Sequence, residues 1–577
     1  MLRQRLTLII ILVVSGLATL IILFFVLFNQ SSVTSRTTLT EGISGSTATP
    51  PKSTPQIPVI VTSSSDQPRP SQPSSVSGSQ RAVQNQGNEQ FSATPELSTP
   101  TSVTSSSPLI TPATNNPVVA ENKQPGTDQW QFELRGLIEQ ADISSQIKGY
   151  TSATSINKGE SIDFHISVFP NQNYSLEVYR MGWYNGKGAR LMHKAGPLPG
   201  TQQPKCPIDP ITGLTECNWA VSYHLPIPQD WTSGIYEVLL INQNNYASYM
   251  VFVVRDDTRV ADLIYQQSIT AYQAYNDYPD NMGKSLYDTS LGANTLAKTP
   301  RAVKVSFDRP YSGSGLSEFI MWDVYYVRWL ERMGYDVVYS TGLDTHLNGQ
   351  RLLNYKGIFI AGHDEYWSKQ MRDAVENARD RGVNLGFFGA NDAYWQVRFE
   401  PSSSGVPNRI MVCYKDIKFD PIQDETATVR FRDPPVNRPE QTLQGIQYGI
   451  WSEQIYTPYI VKNSQHWIYE GSGLKDGDSI PGIVGYEIDY FMPEYGQAAA
   501  RSNTWAFLSS SPFVSHEKVT ANATTSIFQA PSGAWVFSTG TLGWAWALDN
   551  FGKHTVANNG IQKATQNILD RFIINTR

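Results

Sequence analysis

A stretch near the middle of the chain, Gly357–Tyr366, constrains the fold of this protein most strongly. It begins with the uninterrupted apolar run Ile358–Ala361, which is typical of a strand buried on both faces. Titratable residues, among them His363 and Glu365, follow the run directly. A helical pattern and a second apolar run, Val383–Phe388, come next, so the segment predicts two parallel strands joined by a helix.

The second apolar run also ends in polar residues, with Asn391 shortly beyond it. In open parallel sheets, ligands bind at the carboxyl ends of neighbouring strands. The sequence therefore predicts that His363, Glu365 and Asn391 face one crevice. The spacing His-x-Glu is a weak motif by itself, and a structural pair that closes a loop over the sheet edge explains it as well.

The amino-terminal residues 1–29 have the pattern of a membrane anchor. Leu6–Phe28 carries no charge, and its length of about 23 residues is enough to cross a hydrocarbon core of roughly 30 Å. Arg3 and Arg5 precede it, so the positive-inside rule places the amino terminus in the cytoplasm and the bulk of the chain outside. The prediction is a single-pass protein of the cell membrane, and a long cleavable signal peptide is the alternative.

The composition divides the remainder into three parts. Residues 30–128 are dominated by Ser, Thr, Pro and Gln, which predicts a disordered tether, whereas every Trp lies at or after Trp130. Residues 129–256 show the alternation of strands, clearest in Glu160–Val168, and predict an immunoglobulin-like β-sandwich. Strand and helix patterns alternate in residues 257–577, which predicts a doubly wound α/β domain.

The charge limits the classes of partner, and the cysteine positions predict one disulfide and one free thiol. The net charge is −6 and no basic run follows the amino terminus, which argues against a nucleic-acid partner. Cys206 and Cys217 flank a loop that contains Pro and Gly, and we expect them to form a disulfide in an oxidising exterior. Cys413 lies in an apolar run and is expected to be a buried free thiol.

Several motifs resemble one known family. The residues around Gly362–Tyr366, the sequence GANDAYW that contains Asn391, the stretch Ile480–Asp489 and the tail Gly533–Leu548 resemble the large subunit of N,N-dimethylformamidase, over roughly Ala261–Arg577. The resemblance implies a glutamine-amidotransferase-like α/β fold. It also implies a mononuclear iron, expected to be ferric, that is held by two tyrosines and one glutamate and hydrolyses a formamide.

The resemblance assigns the metal ligands of this chain. Glu365 matches the iron-binding glutamate. Tyr272 and Tyr287 lie in the best local matches to the two tyrosines, with Tyr275 and Tyr311 as competitors because the intervening loops differ in length. Phenolate and carboxylate are hard oxygen donors that suit a ferric ion.

The catalytic residues implied by the resemblance are His363, Asn391 and Glu487. Independently of the family, the histidine is a proton carrier and the asparagine can donate a hydrogen bond to an oxyanion. The sequence therefore supports a surface-anchored, metal-dependent hydrolase of amide or formamide C–N bonds that acts on a small amide-like substrate. The alternative is a non-catalytic surface protein that retains the fold and binds a cell-surface glycan or another protein.

Overall fold

The computed structural model describes residues 116–574 other than 143, 280–282, 516–517, 519, 553 and 555, and it describes residues 450–455 by their backbone alone. The first nine strands form two sheets: β1 Ile138–Glu139, β2 Ile147–Thr151, β3 Ser155–Asn157, β4 Ser161–Val168, β5 Gln172–Met181, β6 Ala189–Gly200, β7 Tyr223–Pro226, β8 Gly234–Asn242 and β9 Tyr246–Arg255. The larger sheet has the order β1-β9-β8-β5-β6 with β3 also on β9, and the smaller has the order β2-β4-β7.

The two sheets share one core. Ile162, Phe164 and Ile166 alternate along β4 and are buried, as the sequence pattern requires of a strand with one face on a core. They belong to an apolar cluster that also contains residues of β5, β8 and β9 from the larger sheet. Cys206 and Cys217 form the predicted disulfide in the connection between β6 and β7, and Cys413 is the predicted buried free thiol.

The later strands build four further sheets: β10 Leu263–Gln267, β11 Lys304–Ser306, β12 Val337–Thr341, β13 Gly357–Gly362, β14 Tyr366–Ser368, β15 Asn384–Gly389, β16 Trp395–Glu400, β17 Ile410–Val412, β18 Gln447–Ile460, β19 Ser479–Tyr490, β20 Ala506–Phe507, β21 Ser511–Val514, β22 Thr520–Ala523, β23 Ser526–Gln529 and β24 Trp535–Ser538. The largest has seven strands in the order β12-β10-β13-β15-β24-β23-β20. The first five of these strands run parallel, and β23 and β20 are antiparallel to their neighbours.

The α-helices are short: α1 Pro117–Glu121, α2 Ile269–Tyr275, α3 Val324–Arg332, α4 Gly342–Asn348, α5 Lys369–Asp380, α6 Gln441–Gln444 and α7 Asn559–Ile574. The longest in the described part of the chain are α7 with 16 residues and α5 with 12. Helix α5 is the one predicted after the central strand. Its cap is Ser368, whose hydroxyl accepts a hydrogen bond from the Met371 amide at 3.1 Å.

The described chain is rich in strands and has few helices, so the expected doubly wound, glutamine-amidotransferase-like α/β fold is wrong. A doubly wound sheet needs helical crossovers between successive parallel strands on both faces. Strands β15 and β24 are parallel neighbours, but the described part of the chain between them forms strands β16 to β23, two 3₁₀ turns and a single α-helix, the four-residue α6. The apolar runs identified buried strands correctly, and they carried no information about what would connect them.

The predicted membrane anchor also needs correction. No helix between residues 116 and 574, where the structure describes the chain, is long and apolar enough to cross a membrane. The predicted span Leu6–Phe28 itself lies outside the described residues. The expectation of a single-pass protein of the cell membrane is therefore not supported.

Residues 116–128, which the composition assigned to the tether, fold against the rest of the chain. Asn116 caps helix α1 by accepting a hydrogen bond from the Val118 amide at 2.9 Å. The Asn122 side chain accepts hydrogen bonds from the amides of Trp183 at 2.8 Å and Tyr184 at 2.9 Å. Residues 116–128 therefore belong to the folded part of the chain, although they precede the change in aromatic content.

A buried ion pair joins the β-sandwich to helix α3, which belongs to the region that contains the seven-stranded sheet. Arg180 of β5 contacts Glu331 of α3 at 2.8 Å, and both side chains are fully buried. Breaking such a pair would leave an uncompensated buried charge, which costs about 3–5 kcal/mol. The two parts are therefore coupled where they meet.

Candidate metal centre

The ends of β13 and β15 bring two predicted site residues together. Their register pairs Gly362 with Gly389, and a Cβ atom on Gly389 would lie 1.7 Å from the Gly362 carbonyl oxygen. Gly362 also has a φ of 69°, which glycine adopts without strain. Because both backbones are this close, the residues that follow them meet: the Asn391 side-chain nitrogen lies 3.2 Å from Nε2 of His363.

Two carboxyl groups face the same histidine nitrogen. Nε2 of His363 lies 3.3 Å from Oε2 of Glu365 and 3.6 Å from Oε1 of Glu487, which is on strand β19. All three side chains are almost completely buried. Burial lowers the pKa of His363, so its imidazole is neutral near pH 7. Burial, followed by the charge of Glu365, raises the pKa of Glu487 well above its usual range, which favours the protonated form of this carboxyl group.

Two phenols converge on Glu365. The Tyr287 hydroxyl donates to Oε2 of Glu365 at 2.7 Å, and the Tyr275 hydroxyl lies 3.3 Å from the same oxygen. The two rings stack with their centroids 4.2 Å apart. Burial and the charge of Glu365 raise the pKa of both phenols well above the usual range, so both are protonated when no additional positive charge is present.

The structure does not bring Tyr272 to Glu365. Tyr272 and Tyr275 both lie on helix α2, but the Tyr272 hydroxyl donates to Oδ2 of Asp323 at 2.5 Å. Asp323 ends the π-helical turn Phe319–Asp323 that precedes α3, and its other oxygen accepts the hydroxyl of a second buried tyrosine, Tyr265. Of the two tyrosines predicted as metal ligands, the structure therefore places only Tyr287 beside Glu365, together with the competitor Tyr275.

Sequence reasoning missed Lys415. Its Nζ donates to the Tyr366 hydroxyl at 2.8 Å and lies 3.9 Å from the centroid of the Tyr287 ring. The Tyr366 hydroxyl in turn donates to that of Tyr287 at 2.7 Å. Tyr366 belongs to the central motif and could have been found there, whereas no local pattern marks Lys415, which reaches the site from the segment after β17.

The donor set suits a hard metal ion. Two phenol oxygens and one carboxylate oxygen are the ligand type that ferric iron prefers. The buried atoms Oδ1 of Asn391 and Oε2 of Glu487 have no hydrogen-bond partner in the described protein, which is typical of a site completed by a ligand. Within the described ranges there is no group of three or more His, Cys, Asp or Glu side chains placed to hold a metal, so the phenols are essential to this assignment.

Comparison with known proteins supports the same family. Residues 175–560 match the model of the family described as N,N-dimethylformamidase beta subunit-like, C-terminal. The chain belongs to this family. The match starts in β5, so the dimethylformamidase-like unit includes part of the sandwich and extends further towards the amino terminus than the motifs indicated. Membership indicates a dimethylformamidase-like hydrolase, and the family is metal-dependent.

Other comparisons add little. A superoxide reductase (neelaredoxin) of Ignicoccus hospitalis matches in two variant forms, one with 11% and one with 10% identity, each with a TM-score of 0.12 and each covering 19% of this chain and 83% of the reductase. A cycloisomaltooligosaccharide glucanotransferase of a Paenibacillus species, complexed with cycloisomaltoheptaose, matches with 8% identity and a TM-score of 0.15, covering 68% of each chain. A search of curated proteins found no match. Scores this low carry no argument about fold or function.

Proposed function

We propose that this protein is a mononuclear-iron hydrolase of amide or formamide C–N bonds, and that Tyr275, Tyr287 and Glu365 hold the iron. The observation that supports this most directly is the convergence of both phenol hydroxyls on one carboxylate oxygen. The proposal replaces Tyr272 of the sequence prediction with Tyr275. When bound, a ferric ion supplies Lewis acidity towards the amide carbonyl and towards water.

His363 and Glu487 can handle the protons of the reaction. Hydrolysis forms a C–O bond to water and breaks the C–N bond, and one proton of the water ends on the leaving nitrogen. Burial keeps the pKa of the His363 imidazole low, so Nε2 can accept the proton from water when the Asn391 amide, which lies 3.2 Å from that nitrogen, donates to the substrate instead. The protonated Glu487, 3.6 Å from the same nitrogen, can deliver a proton to the leaving amine and recover one from His363.

Asn391 can orient and stabilise the substrate. Its amide nitrogen has two hydrogens, and one of them is enough for the contact of 3.2 Å with His363. In the substrate complex an N–H of this amide can donate to the carbonyl oxygen, on which negative charge develops as the C–O bond forms. The nearly complete burial of these side chains strengthens such a hydrogen bond.

Lys415 can favour the deprotonated form of the phenols. Its ammonium group lies against the ring of Tyr287 and bonds to Tyr366, so it would offset part of the negative charge of phenolates that hold a metal ion. Burial lowers the pKa of Lys415, and the charge of Glu365 opposes this shift. The Lys415 ammonium group therefore interacts electrostatically with Glu365 as well as with the two tyrosines.

The test combines metal content with turnover. Purified full-length protein should contain about one iron per chain, absorb visible light because of phenolate-to-iron charge transfer, and hydrolyse N,N-dimethylformamide or another small amide in a panel. Glu365→Gln keeps the shape of the side chain but removes its charge, and it should lose most of the iron and nearly all activity. Glu494→Gln, on an exposed turn, is the matched control and should change neither.

A colourless protein without stoichiometric iron, in which wild type and Glu365→Gln bind metal equally, would exclude the metalloenzyme proposal. In that case the non-catalytic alternative, a binding protein for a glycan or another protein, takes its place.

A further inference from the structure

A small cleft is lined in part by Tyr275, one of the proposed ligands. Its cavity volume is about 90 Å³, and Tyr272, Tyr311 and Glu318 are also among the residues that line it. None of its lining residues is basic. Several aromatic faces together with a carboxylate are the arrangement that binds alkylammonium cations.

The carboxyl groups of Glu318, in the lining, and of Asp323, bonded to Tyr272, contribute negative charge near the cleft. Lys148 and Arg309 bond to the backbone carbonyls of the lining residues Tyr311 and Asn276. Tyr272 donates its hydroxyl to Asp323, whose pKa burial raises only to about 6, so this carboxyl is ionised at neutral pH. A phenol that donates to a carboxylate has a more electron-rich ring, which attracts a cation more strongly. Burial, followed by the charge of Asp323, raises the pKa of Glu318 to about 7, so a bound cation would stabilise its ionised form.

The wall that carries Tyr311 is held in place by the sandwich. Nζ of Lys148, on β2, donates to the backbone carbonyls of Tyr311 and Gly313, both at 2.6 Å, and pairs with Asp142 at 2.9 Å. Gly315 has a φ of 91°, and a Cβ atom there would lie 2.4 Å from a carbonyl oxygen of strand β9. The wall is thus fixed before a ligand arrives, which lowers the entropy cost of binding.

We propose that this cleft binds the alkylammonium group of the substrate, so that the enzyme acts on amides that carry a cationic amine close to the C–N bond. The substrate assignment rests on the proposed hydrolase function, because Tyr275 lines the cleft and also contacts Glu365. The volume of about 90 Å³ is smaller than the ~150 Å³ cavity that accommodates benzene, so the cleft fits a small ammonium head group and not a large aromatic one.

The test compares choline with its neutral isostere 3,3-dimethylbutan-1-ol. Binding to the full-length protein is measured by calorimetry and by ligand-observed NMR, before and after metal removal with a chelator. Choline should bind in both states, and the neutral alcohol should bind at least ~10-fold more weakly. Glu318→Gln should weaken choline binding by about 10-fold, and Tyr311→Leu should weaken it by a similar factor, because each removes one element of cation recognition.

Glu494→Gln, which removes an exposed carboxylate elsewhere, should leave choline binding unchanged. Circular dichroism shows whether each variant is folded, and Glu318→Gln, which is nearly isosteric, decides the outcome if Tyr311→Leu does not fold. Equal binding of choline and the alcohol, no binding of either, or unchanged binding in Glu318→Gln would overturn the inference.

The same measurements separate the two proposals. Selective choline binding in a protein that has neither iron nor hydrolase activity would support the cleft and exclude the proposed function. Iron and amide hydrolysis in a protein that does not distinguish choline from the alcohol would support the function and exclude the cleft.

Discussion

The pair of variants Tyr275→Phe and Tyr272→Phe tests the assignment of the metal ligands most sharply. Both remove one hydroxyl from the same short helix, and the ring stays in place. The structure predicts opposite consequences, because the Tyr275 hydroxyl lies 3.3 Å from Glu365 whereas the Tyr272 hydroxyl bonds to Asp323 at 2.5 Å.

Tyr275→Phe should impair metal binding and leave stability almost unchanged. Loss of an outer partner of a metal ligand costs about 10–100-fold in metal affinity, and loss of a ligand should cost more. The free energy of unfolding should change little, because the contact of the hydroxyl with Glu365 is long, at 3.3 Å, and Glu365 keeps the shorter hydrogen bond, of 2.7 Å, from Tyr287.

Tyr272→Phe should lower stability and leave metal binding almost unchanged. Asp323 is 1% exposed and would keep only the hydroxyl of Tyr265 as a donor. A hydrogen bond to a charged group contributes about 1.5–3 kcal/mol, so the free energy of unfolding should fall by that amount. Iron content and the visible band should remain as in wild type.

Two measurements compare the variants. Iron affinity is obtained by competition with a chelator, and stability by urea denaturation of the metal-free proteins. The reasoning is refuted if Tyr272→Phe loses iron while Tyr275→Phe retains it, or if both variants bind iron like wild type.

Further predictions concern groups around and outside the centre. Asn391→Ala should keep its iron but lower kcat by about 10²–10³, the usual loss for one oxyanion donor, and an unchanged kcat would exclude that role. Lys415→Met should shift the charge-transfer band to longer wavelength and require a higher pH for iron uptake, since the phenols lose a neighbouring cation; identical spectra and uptake curves would contradict this. Replacing Cys206 and Cys217 by Ser should lower the free energy of unfolding by about 3 kcal/mol on the chain-entropy estimate, with iron content as the control. Glu237 is fully buried and neither carboxyl oxygen has a partner in the described protein, so burial raises its pKa well above the usual range. The folded state then binds this proton more tightly than the unfolded state does. Wild type should therefore lose stability relative to Glu237→Gln as pH rises from about 4.3, by up to ~1.4 kcal/mol per pH unit. Parallel curves of unfolding free energy against pH for the two proteins between pH 5 and 8 would show the reasoning to be wrong.

Local patterns were sufficient wherever the relevant residues are contiguous. An apolar run followed by polar residues marked the strand end that carries His363 and Glu365, and a second run marked the neighbouring strand before Asn391. Parallel pairing of the two strands then brought His363 and Asn391 into contact, as expected from strand register alone. The disulfide and the family were likewise predicted correctly from short segments.

The choice between Tyr272 and Tyr275 as the proposed metal ligand required the tertiary structure. Tyr272 and Tyr275 are one helical turn apart, so sequence spacing puts both on nearly the same face of α2. Which hydroxyl meets Glu365 depends on Asp323, a carboxyl group from another segment that binds Tyr272. Lys415 enters the site in the same way, through the packing of a distant loop.

The fold class also depended on long-range packing. Apolar runs show that a strand is buried, because burial on both faces requires an apolar sequence, but they do not show whether helices or other strands cover those faces. The regular structure in the described part of the long connection between β15 and β24 consists mostly of strands, where the sequence pattern had led us to expect helical layers. The sequence by itself determined which segments are buried and where the polar strand ends lie, whereas the pairing of distant segments decided which of those polar groups meet, because that pairing depends on contacts between residues far apart in the chain.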